Sequence, residues 1–157
     1  MRLTIYSVTI LVHGLPRVVF DMNEGIDHIG IATHSLDAHS EFWSSLGFIQ
    51  GKDEVNEEQG VKIRFFQTSS GGPKIELLEP LDSDTPIGKF LAKKGEGIQQ
   101  IAVKTTDIFS SISQLKSLGI RMINDVPVSG ANATKIAFVH PSSTGGVLVE
   151  LVEHQTS

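Results

Sequence analysis

Apolar residues along this chain follow two spacings, and each spacing occurs twice in the same order. Segments in which apolar residues alternate with polar or small residues predict strands, and segments in which they recur every three or four positions predict helices. The strand-like phrase GIDHIGIAT at 25–33 returns as GIQQIAVKT at 97–105. A helix-like segment follows each phrase, at 35–48 and at 106–120. The chain therefore contains an internal repeat of one structural unit.

The helix of each copy has a predicted start and end. Ser35 and Thr106 are predicted N-caps, and Gly47 and Gly119 are predicted to follow the last helical turn. Further strand-like runs follow each helix, at 61–68, 74–80, 135–140 and 146–153. With these two runs each copy reads β-α-β-β, and we interpret it as a β-α-β-β-β unit. Between the copies, the segment 81–97 predicts a short helix that begins at a proline.

Two copies of one unit usually pack around a pseudo-two-fold axis and share a core, which brings equivalent positions together. We predict a single domain at 26–154, with modules at 26–80 and 98–153 and a linker at 81–97. Residues 1–25 are predicted to be an N-terminal extension that forms an extra strand or a loosely attached arm. An alternative is that Met22 is the natural start and residues 1–21 precede it.

Composition narrows the classes of function. The chain is 39% hydrophobic and 20% charged, as in an ordinary soluble globular protein. Its net charge of −5 argues against nucleic acid as a partner. There is no cysteine, which excludes disulfides, thiolate metal sites and a cysteine nucleophile. No apolar run reaches the ~18 residues of a membrane span, and the N-terminal segment lacks a signal-peptide cleavage pattern. We expect a cytoplasmic protein without a membrane partner.

Four polar side chains lie on otherwise apolar faces of the predicted strands: His28, Glu76, Gln100 and Glu150. They occupy equivalent positions in the two copies, one on the first strand and one on the last strand of each. A carboxylate among apolar neighbours is costly unless it is paired or bound to a metal. Any one of the four alone is more often a satisfied edge residue, but together they predict a metal site. One imidazole, one amide oxygen and two carboxylates suit Zn²⁺, Co²⁺, Ni²⁺ or Mn²⁺.

An ordered set of phrases resembles the vicinal oxygen chelate superfamily, which includes glyoxalase I, extradiol dioxygenases and bleomycin-resistance proteins, and within it the methylmalonyl-CoA epimerases. The phrases are DHIGIA at 27–32, EQGVKI at 58–63, IELLEPL at 75–81, TPIGKFLAKKGEGI at 85–98, IRMINDVPVSGA at 120–131, IAFVHP at 136–141 and GGVLVEL at 145–151. The resemblance covers about residues 25–153. It implies an α+β fold in which two tandem βαβββ modules form a curved mixed sheet around a metal cleft.

The resemblance also implies an activity. A protein of this branch would be a metal-dependent epimerase that inverts the α-carbon of methylmalonyl-CoA or a close acyl-CoA by proton transfer through an enolate. Its partners would be an acyl-CoA thioester substrate and a second copy of itself in a homodimer. The cofactor would be a divalent metal ion (Co, Zn, Ni or Mn) with the ligands His28, Glu76, Gln100 and Glu150, and Glu150 would also be the catalytic base.

The chain departs from the epimerase pattern in two places. Epimerases of this kind carry His-His where this chain has Gln99 and Gln100, and the second of the pair is a metal ligand. Glutamine is compatible with the role, because some glyoxalase I enzymes use one Gln, one His and two Glu. An amide oxygen is a poorer donor to Zn²⁺ than imidazole, so weaker binding or a harder metal is expected. Some epimerases also place a carboxylate on the strand after EQGV, where this chain has only Lys62, Ile63 and Arg64. The second acid–base group of an inversion is therefore not identified.

Two alternatives remain open at this point. One is lactoylglutathione lyase (glyoxalase I) activity on a glutathione hemithioacetal. The other is a non-catalytic protein of the bleomycin-resistance type that binds a small molecule in the cleft. Metal content separates the second alternative from the two enzymes, and substrate preference separates the enzymes from each other.

If the substrate is an acyl-CoA, its anionic CoA tail needs cations at the mouth of the cleft. The candidates are Lys89, Lys93, Lys94 and Lys135, and the loop at 127–135 is a candidate lid over the substrate.

Overall fold

A computed structural model describes residues 7–12, 15–20 and 23–156. The described residues form eleven strands and three α-helices. In chain order these are β1 (Ser7–Val12), β2 (Leu15–Phe20), β3 (Asn23–Ala32), α1 (Leu36–Ser45), β4 (Ile49–Gln50), β5 (Glu54–Asn56), β6 (Val61–Gln67), β7 (Lys74–Pro80), α2 (Pro86–Lys94), β8 (Gly97–Thr105), α3 (Ile108–Ser117), β9 (Val128–Ser129), β10 (Lys135–Val139) and β11 (Val149–Glu153).

Nine of these strands form one mixed sheet with the order β4-β6-β7-β3-β8-β11-β10-β9, and β5 pairs with β6 at its edge. The two modules meet at its centre, where β3 and β8 are antiparallel. Each of these central strands has a parallel neighbour from its own module, β7 beside β3 and β11 beside β8. The predicted α+β fold of two βαβββ modules in a curved mixed sheet is confirmed.

One face of the sheet is covered by α1 and α3. Leu36 of α1 packs with Phe66 and Leu77 of the first module, and all three side chains are at most 1% exposed. Ile108 and its neighbours on α3 form the equivalent cluster with β10 and β11. Because side chains alternate along a strand, the neighbours of these buried strand residues point to the opposite face of the sheet.

Besides Glu76 and Glu150, another pair of glutamates in equivalent positions of the two modules contacts the starts of α1 and α3. Glu79 accepts a hydrogen bond of 2.8 Å from the backbone N–H of Leu36. Glu153 accepts one of 2.7 Å from the backbone N–H of Ile108. Each carboxylate therefore satisfies a free N–H at the positive end of a helix, which is a favourable place for an anion.

The predicted helix ends are right at three of four places. Ser35 caps α1 by accepting from the N–H of Ala38, and Gly47 and Gly119 follow the last turns with φ of +88° and +78°. The fourth prediction, Thr106 as the N-cap of α3, is wrong. Asp107 caps that helix, because its carboxylate accepts from both the N–H and the hydroxyl of Ser110.

The opposite face of the sheet is concave and holds a second apolar core under α2. Ala32, Ile63, Leu78, Ile87 and Leu91 contribute to this cluster. The helix begins at Pro86, as predicted for the linker, and Thr85 caps it. This face also carries the four polar side chains singled out above.

The N-terminal extension predicted at 1–25 lies partly outside the described residues, which omit 1–6, 13–14 and 21–22. Its described part includes the antiparallel pair β1–β2, which forms a separate two-stranded sheet. The domain boundaries stay a prediction. Within the part of the chain that the structure describes, no helix is long and apolar enough to cross a membrane.

Candidate active site

Backbone pairing across the four central strands brings the predicted site residues into two rows. In the first row, Gly30 of β3 lies opposite Glu76 of β7 on one side and opposite Gln100 of β8 on the other. Gly30 has no side chain, and that leaves room for Gln100 to lie over it. A Cβ added at Gly30 would come within 2.6 Å of Cγ of Gln100.

The second row is the pseudo-two-fold counterpart of the first. Ala102 of β8 lies opposite His28 of β3 and opposite Glu150 of β11. A small residue therefore separates a carboxylate from a second polar side chain in both rows. The two rows share this arrangement because of the sequence repeat, in which His-x-Gly of the first module corresponds to Gln-x-Ala of the second.

The structure brings all four predicted site residues together. Nε2 of His28 lies 3.1 Å from Oε2 of Glu76 and 3.8 Å from Oε2 of Glu150. The side-chain amide of Gln100 donates to the same two oxygens, at 3.3 Å to Glu76 and at a shorter distance to Glu150. All four residues are at most 6% exposed. We call these side chains the polar cluster.

Asp27, which the sequence reasoning did not select, orients His28. Its Oδ2 lies 2.7 Å from Nδ1 of His28, so the imidazole donates there and turns Nε2 towards the carboxylates. The other oxygen of Asp27 lies 2.6 Å from Nε2 of His154, and the ammonium of Lys74 is 3.8 Å from Oδ2. Burial raises the pKa of Asp27, but the hydrogen bonds of His28 and His154 and the charge of Lys74 bring it well below its usual range.

The carboxylates around His28 favour its positive form. Burial lowers the pKa of the imidazole, but the charge of Glu76 and the hydrogen bonds with Asp27 and Glu150 raise it to about 12. Burial raises the pKa of Glu150; the hydrogen bond with His28 opposes this, and the charge of Glu76 adds to it. Two carboxylates in an apolar face thus hold one positive charge between them.

The chemistry of the polar cluster fits a divalent cation. Nε2 of His28 is buried close to oxygens of both Glu76 and Glu150, but neither contact has the alignment of a regular hydrogen bond. Imidazole nitrogen and carboxylate oxygen are common ligands of Zn²⁺ and its neighbours. Among the described residues, no group of three or more His, Asp and Glu is already spaced to hold a metal ion. In this arrangement the Gln100 side-chain amide donates to both carboxylates.

The second module replaces the Asp-His pair by a Gln-Gln pair. Gln99 occupies the position that corresponds to Asp27, and Gln100 the position that corresponds to His28. An imidazole ligand needs an acceptor for its second nitrogen, whereas an amide ligand does not. Oε1 of Gln99 is buried without a hydrogen-bond partner. Both positions therefore differ in chemical character between the two modules.

A cavity of about 220 Å³ opens beside the polar cluster on the concave face. Its apolar lining is Val61, Ile63, Leu78, Pro86, Ile87, Ile123, Gly130, Ala131, Ile136, Phe138 and Leu148. Its polar lining outside the cluster consists of amides, from Asn56, Gln59, Gln99 and Asn124. Among the described residues that line it, the titratable ones are Glu76 and Glu150.

The strand after EQGV presents an apolar residue to this cavity. Ile63 faces it, whereas Arg64 points to the helical face, where it forms paired hydrogen bonds with Asp53 and further bonds with Asp37 and Ser40. Arg64 is therefore structural.

The candidate cations for a CoA tail do not line the cavity. None of the four lysines considered above is among its described lining residues. Lys135, for example, pairs with Glu153 at 3.6 Å and lies over the ring of Phe109.

The loop considered as a lid is tied across the mouth of the cleft. The backbone N–H of Asn132 donates to the carboxylate of Glu54, at 2.9 and 3.1 Å, and Asn56 donates to the carbonyl of Ser129 at 3.3 Å. These contacts join the second module to β5 of the first. Asn132 and Ala133 have φ of 52° and 57°, a conformation that costs L-residues energy.

Comparison with known proteins identifies relatives over most of the chain. The sequence profile of the Glyoxalase/Bleomycin resistance protein/Dioxygenase superfamily matches residues 27–138. The uncharacterized protein YqjC of Bacillus subtilis is 43% identical over 129 residues, which cover 82% of this chain and 91% of YqjC. The crystal structure of methylmalonyl-CoA epimerase from Mycobacterium tuberculosis is 37% identical, has a TM-score of 0.82, and covers 86% of this chain and 91% of its own.

A further solved structure carries a ligand. It is a methylmalonyl-CoA epimerase in complex with methylmalonyl-CoA and NH4+, 41% identical, with a TM-score of 0.80 and a coverage of 87% of this chain and 97% of its own. The similarity to these enzymes supports an epimerase-like activity for this chain.

Substitution Gly30→Ala is predicted to disrupt the polar cluster. The new methyl group would lie 2.6 Å from Cγ of Gln100 and 3.2 Å from Cδ1 of Leu78, so both side chains must move. We expect a loss of about 1–3 kcal/mol in the free energy of unfolding, measured with denaturant, and a displaced Gln100 amide resonance in NMR spectra. Gly51→Ala is the matched control, because its nearest contact, the carbonyl of Phe65, would be at an ordinary 3.4 Å. Equal stability of the two variants would contradict this account.

Proposed function

The chain belongs to the Glyoxalase/Bleomycin resistance protein/Dioxygenase superfamily, and from this premise we propose that it is a metal-dependent epimerase of methylmalonyl-CoA or a close acyl-CoA thioester. One observation carries the proposal. Four buried polar side chains, two from each module, meet at one point, and three of them (Glu76, Gln100 and Glu150) line a mainly apolar cavity. Two similar solved structures are those of methylmalonyl-CoA epimerases, and one contains methylmalonyl-CoA.

The ligands proposed for the divalent metal are Nε2 of His28, the carboxylates of Glu76 and Glu150, and the amide oxygen of Gln100. Gln100 would present its oxygen after a half-turn of the amide, which exchanges its donor and acceptor ends. A bound divalent metal would act as a Lewis acid that stabilises negative charge on the thioester oxygen of an enolate.

The residues of the chain supply the remaining functions. Glu150 is the proposed base, because its carboxylate is buried on the cavity wall beside the point where the polar cluster meets. The α-proton of the substrate is weakly acidic, so its removal depends on a base held in place and shielded from water. Asp27 fixes the ring of His28 and keeps Nε2 aimed at the same point.

The cavity suits the other parts of such a substrate. Its aliphatic wall, which includes Ile63, Leu78 and Ile136, takes the alkyl substituent of the α-carbon. The amides that line it can pair with the amide groups of a pantetheine arm. The homodimer implied by the family resemblance and the cytoplasmic location stay predictions.

The decisive experiment follows the α-proton of methylmalonyl-CoA. Purified protein freed of metal by chelation is expected to be inactive, and addition of Co²⁺ is expected to start both α-proton exchange in D₂O and inversion, followed by NMR. Absence of exchange with Co²⁺, Zn²⁺, Ni²⁺ and Mn²⁺ would contradict the proposal. Activity on a glutathione hemithioacetal instead would identify a lactoylglutathione lyase, and tight binding without turnover a non-catalytic protein.

Metal binding is predicted to release a proton from His28. The imidazole, whose pKa is raised to about 12, is protonated at neutral pH, and a ligating nitrogen must be unprotonated. The apparent affinity should therefore rise about tenfold per pH unit between pH 6 and 8. Calorimetry in buffers of different ionisation enthalpy should report release of at least about one proton per ion. His28→Gln, which replaces imidazole by an amide, should lose most of this release. Binding that is independent of pH would show that His28 is not a ligand.

A further inference from the structure

His154 lies just beyond the last strand, β11, and its side chain is partly exposed. Its Nε2 donates to Oδ1 of Asp27 at 2.6 Å. The other oxygen of Asp27 accepts from Nδ1 of His28 at 2.7 Å. Two hydrogen bonds in series therefore connect a residue at the surface with the imidazole of the polar cluster.

A β-bulge brings Asp27 to the side of the sheet on which His28 lies. In the pairing of β3 with β8, Ile26 lies opposite Val103. His28 lies opposite Ala102, the residue just before Val103, so Asp27 is an extra residue on β3. Adjacent side chains of a regular strand point to opposite faces, and a bulge re-aims one of them. The carboxylate of Asp27 can therefore reach the neighbouring imidazole.

Asp27 has two carboxylate oxygens and three neighbouring donors. The ammonium of Lys74 lies 3.8 Å from Oδ2, the same oxygen that accepts from His28. The carboxylate of an aspartate turns easily about its last bond, and a lysine side chain is flexible. His154 occupies Oδ1, so the carboxylate is held at two points and Oδ2 stays directed at His28. Without His154, Asp27 is free to turn towards Lys74, and the imidazole loses its fixed orientation.

The other module lacks such a donor. Gln99 corresponds to Asp27 and is the extra residue of a second bulge in the same pair of strands. Pro80 occupies the position that corresponds to His154, and its side chain has no hydrogen-bond donor. The donor is thus present only beside the imidazole, and an imidazole ligand needs an acceptor for its second nitrogen.

His154 does not act on the substrate directly. Neither His154 nor Asp27 is among the described residues that line the cavity of about 220 Å³. Both line a separate pocket of about 20 Å³, together with His28, Glu76 and Glu150. That volume holds about one water molecule and excludes an acyl thioester.

We infer that His154 is a positioning residue for His28. It fixes the carboxylate of Asp27, which in turn fixes the imidazole with Nε2 directed at the two carboxylates of the polar cluster. The inference rests on the proposed function in one respect, namely that His28 is a metal ligand.

The test begins with NMR of the metal-free protein labelled with ¹⁵N-histidine. The Nδ1–H proton of His28, donated to a buried carboxylate, should give a downfield resonance that exchanges slowly with water. His154→Leu should shift this resonance or broaden it beyond detection. His154→Gln should restore it, because the glutamine amide can donate in place of Nε2–H.

A titration with Co²⁺, followed by visible absorption, extends the test to the metal. His154→Leu should lower the affinity about tenfold, and His154→Gln should bring it back close to the wild-type value. His39→Leu is the matched control, because His39 also contacts a carboxylate through Nε2, that of Glu96 at 3.0 Å. It lies on α1 and should change neither the His28 resonance nor the affinity for Co²⁺.

Three outcomes would overturn the inference. An unchanged His28 resonance in His154→Leu would show that Asp27 holds the imidazole without His154. A wild-type affinity of His154→Leu for Co²⁺ would show that the contact does not serve the metal site. Equal losses in His154→Leu and His154→Gln would show that the donor is not what matters. If the wild type binds no divalent ion, the proposed function fails instead, and the resonance of the metal-free protein still decides whether His154 positions His28.

Discussion

Two carboxylates buried side by side in an apolar sheet face need a positive charge between them. Their desolvation costs several kcal/mol each unless a cation offsets it. In this protein the charge comes from His28, which lies within 4 Å of both Glu76 and Glu150. The other features of the site follow from this requirement. Asp27 turns the imidazole towards the carboxylates, and Gly30 leaves the space in which Gln100 reaches them. A proton on His28 and a divalent metal are alternative ways to supply the same charge.

The pseudo-two-fold arrangement brings two glutamates from equivalent positions to one site. The departure from symmetry gives that site one imidazole and one amide. Equivalent carboxylates appear on both faces of the sheet, in the polar cluster and at the two helix starts, where Glu79 and Glu153 hold α1 and α3. The central strands differ, because Asp-His in one corresponds to Gln-Gln in the other. A divalent ion held by His28, Gln100 and both glutamates would be neutralised by the two carboxylates.

The repeat made much of the fold and the position of the polar cluster predictable from the sequence. Apolar spacing located the helices and the main strands, and equivalence between the two copies selected His28, Glu76, Gln100 and Glu150. Each of these polar residues interrupts an apolar strand face, and its immediate sequence neighbours are enough to show this.

Contacts between distant segments left no such signal. Asp27 and His154 are 2.6 Å apart at their polar atoms, but one precedes a strand histidine and the other lies beyond the last strand. The tie from Glu54 to the loop at Asn132 joins two modules in the same way. The predicted N-cap of α3, Thr106, lies one position before the observed cap, Asp107, and both residue types favour that role.

The most direct test of the central claim is a crystal structure of the protein grown with Co²⁺, with anomalous diffraction data to locate the ion. We expect one strong anomalous peak in the polar cluster, at about 2.0–2.2 Å from Nε2 of His28, from a carboxylate oxygen of Glu76 and of Glu150, and from the amide oxygen of Gln100. No peak in the cluster, with the Gln100 amide still donating to both carboxylates, would contradict the account and leave the cluster as a hydrogen-bonded element of the fold.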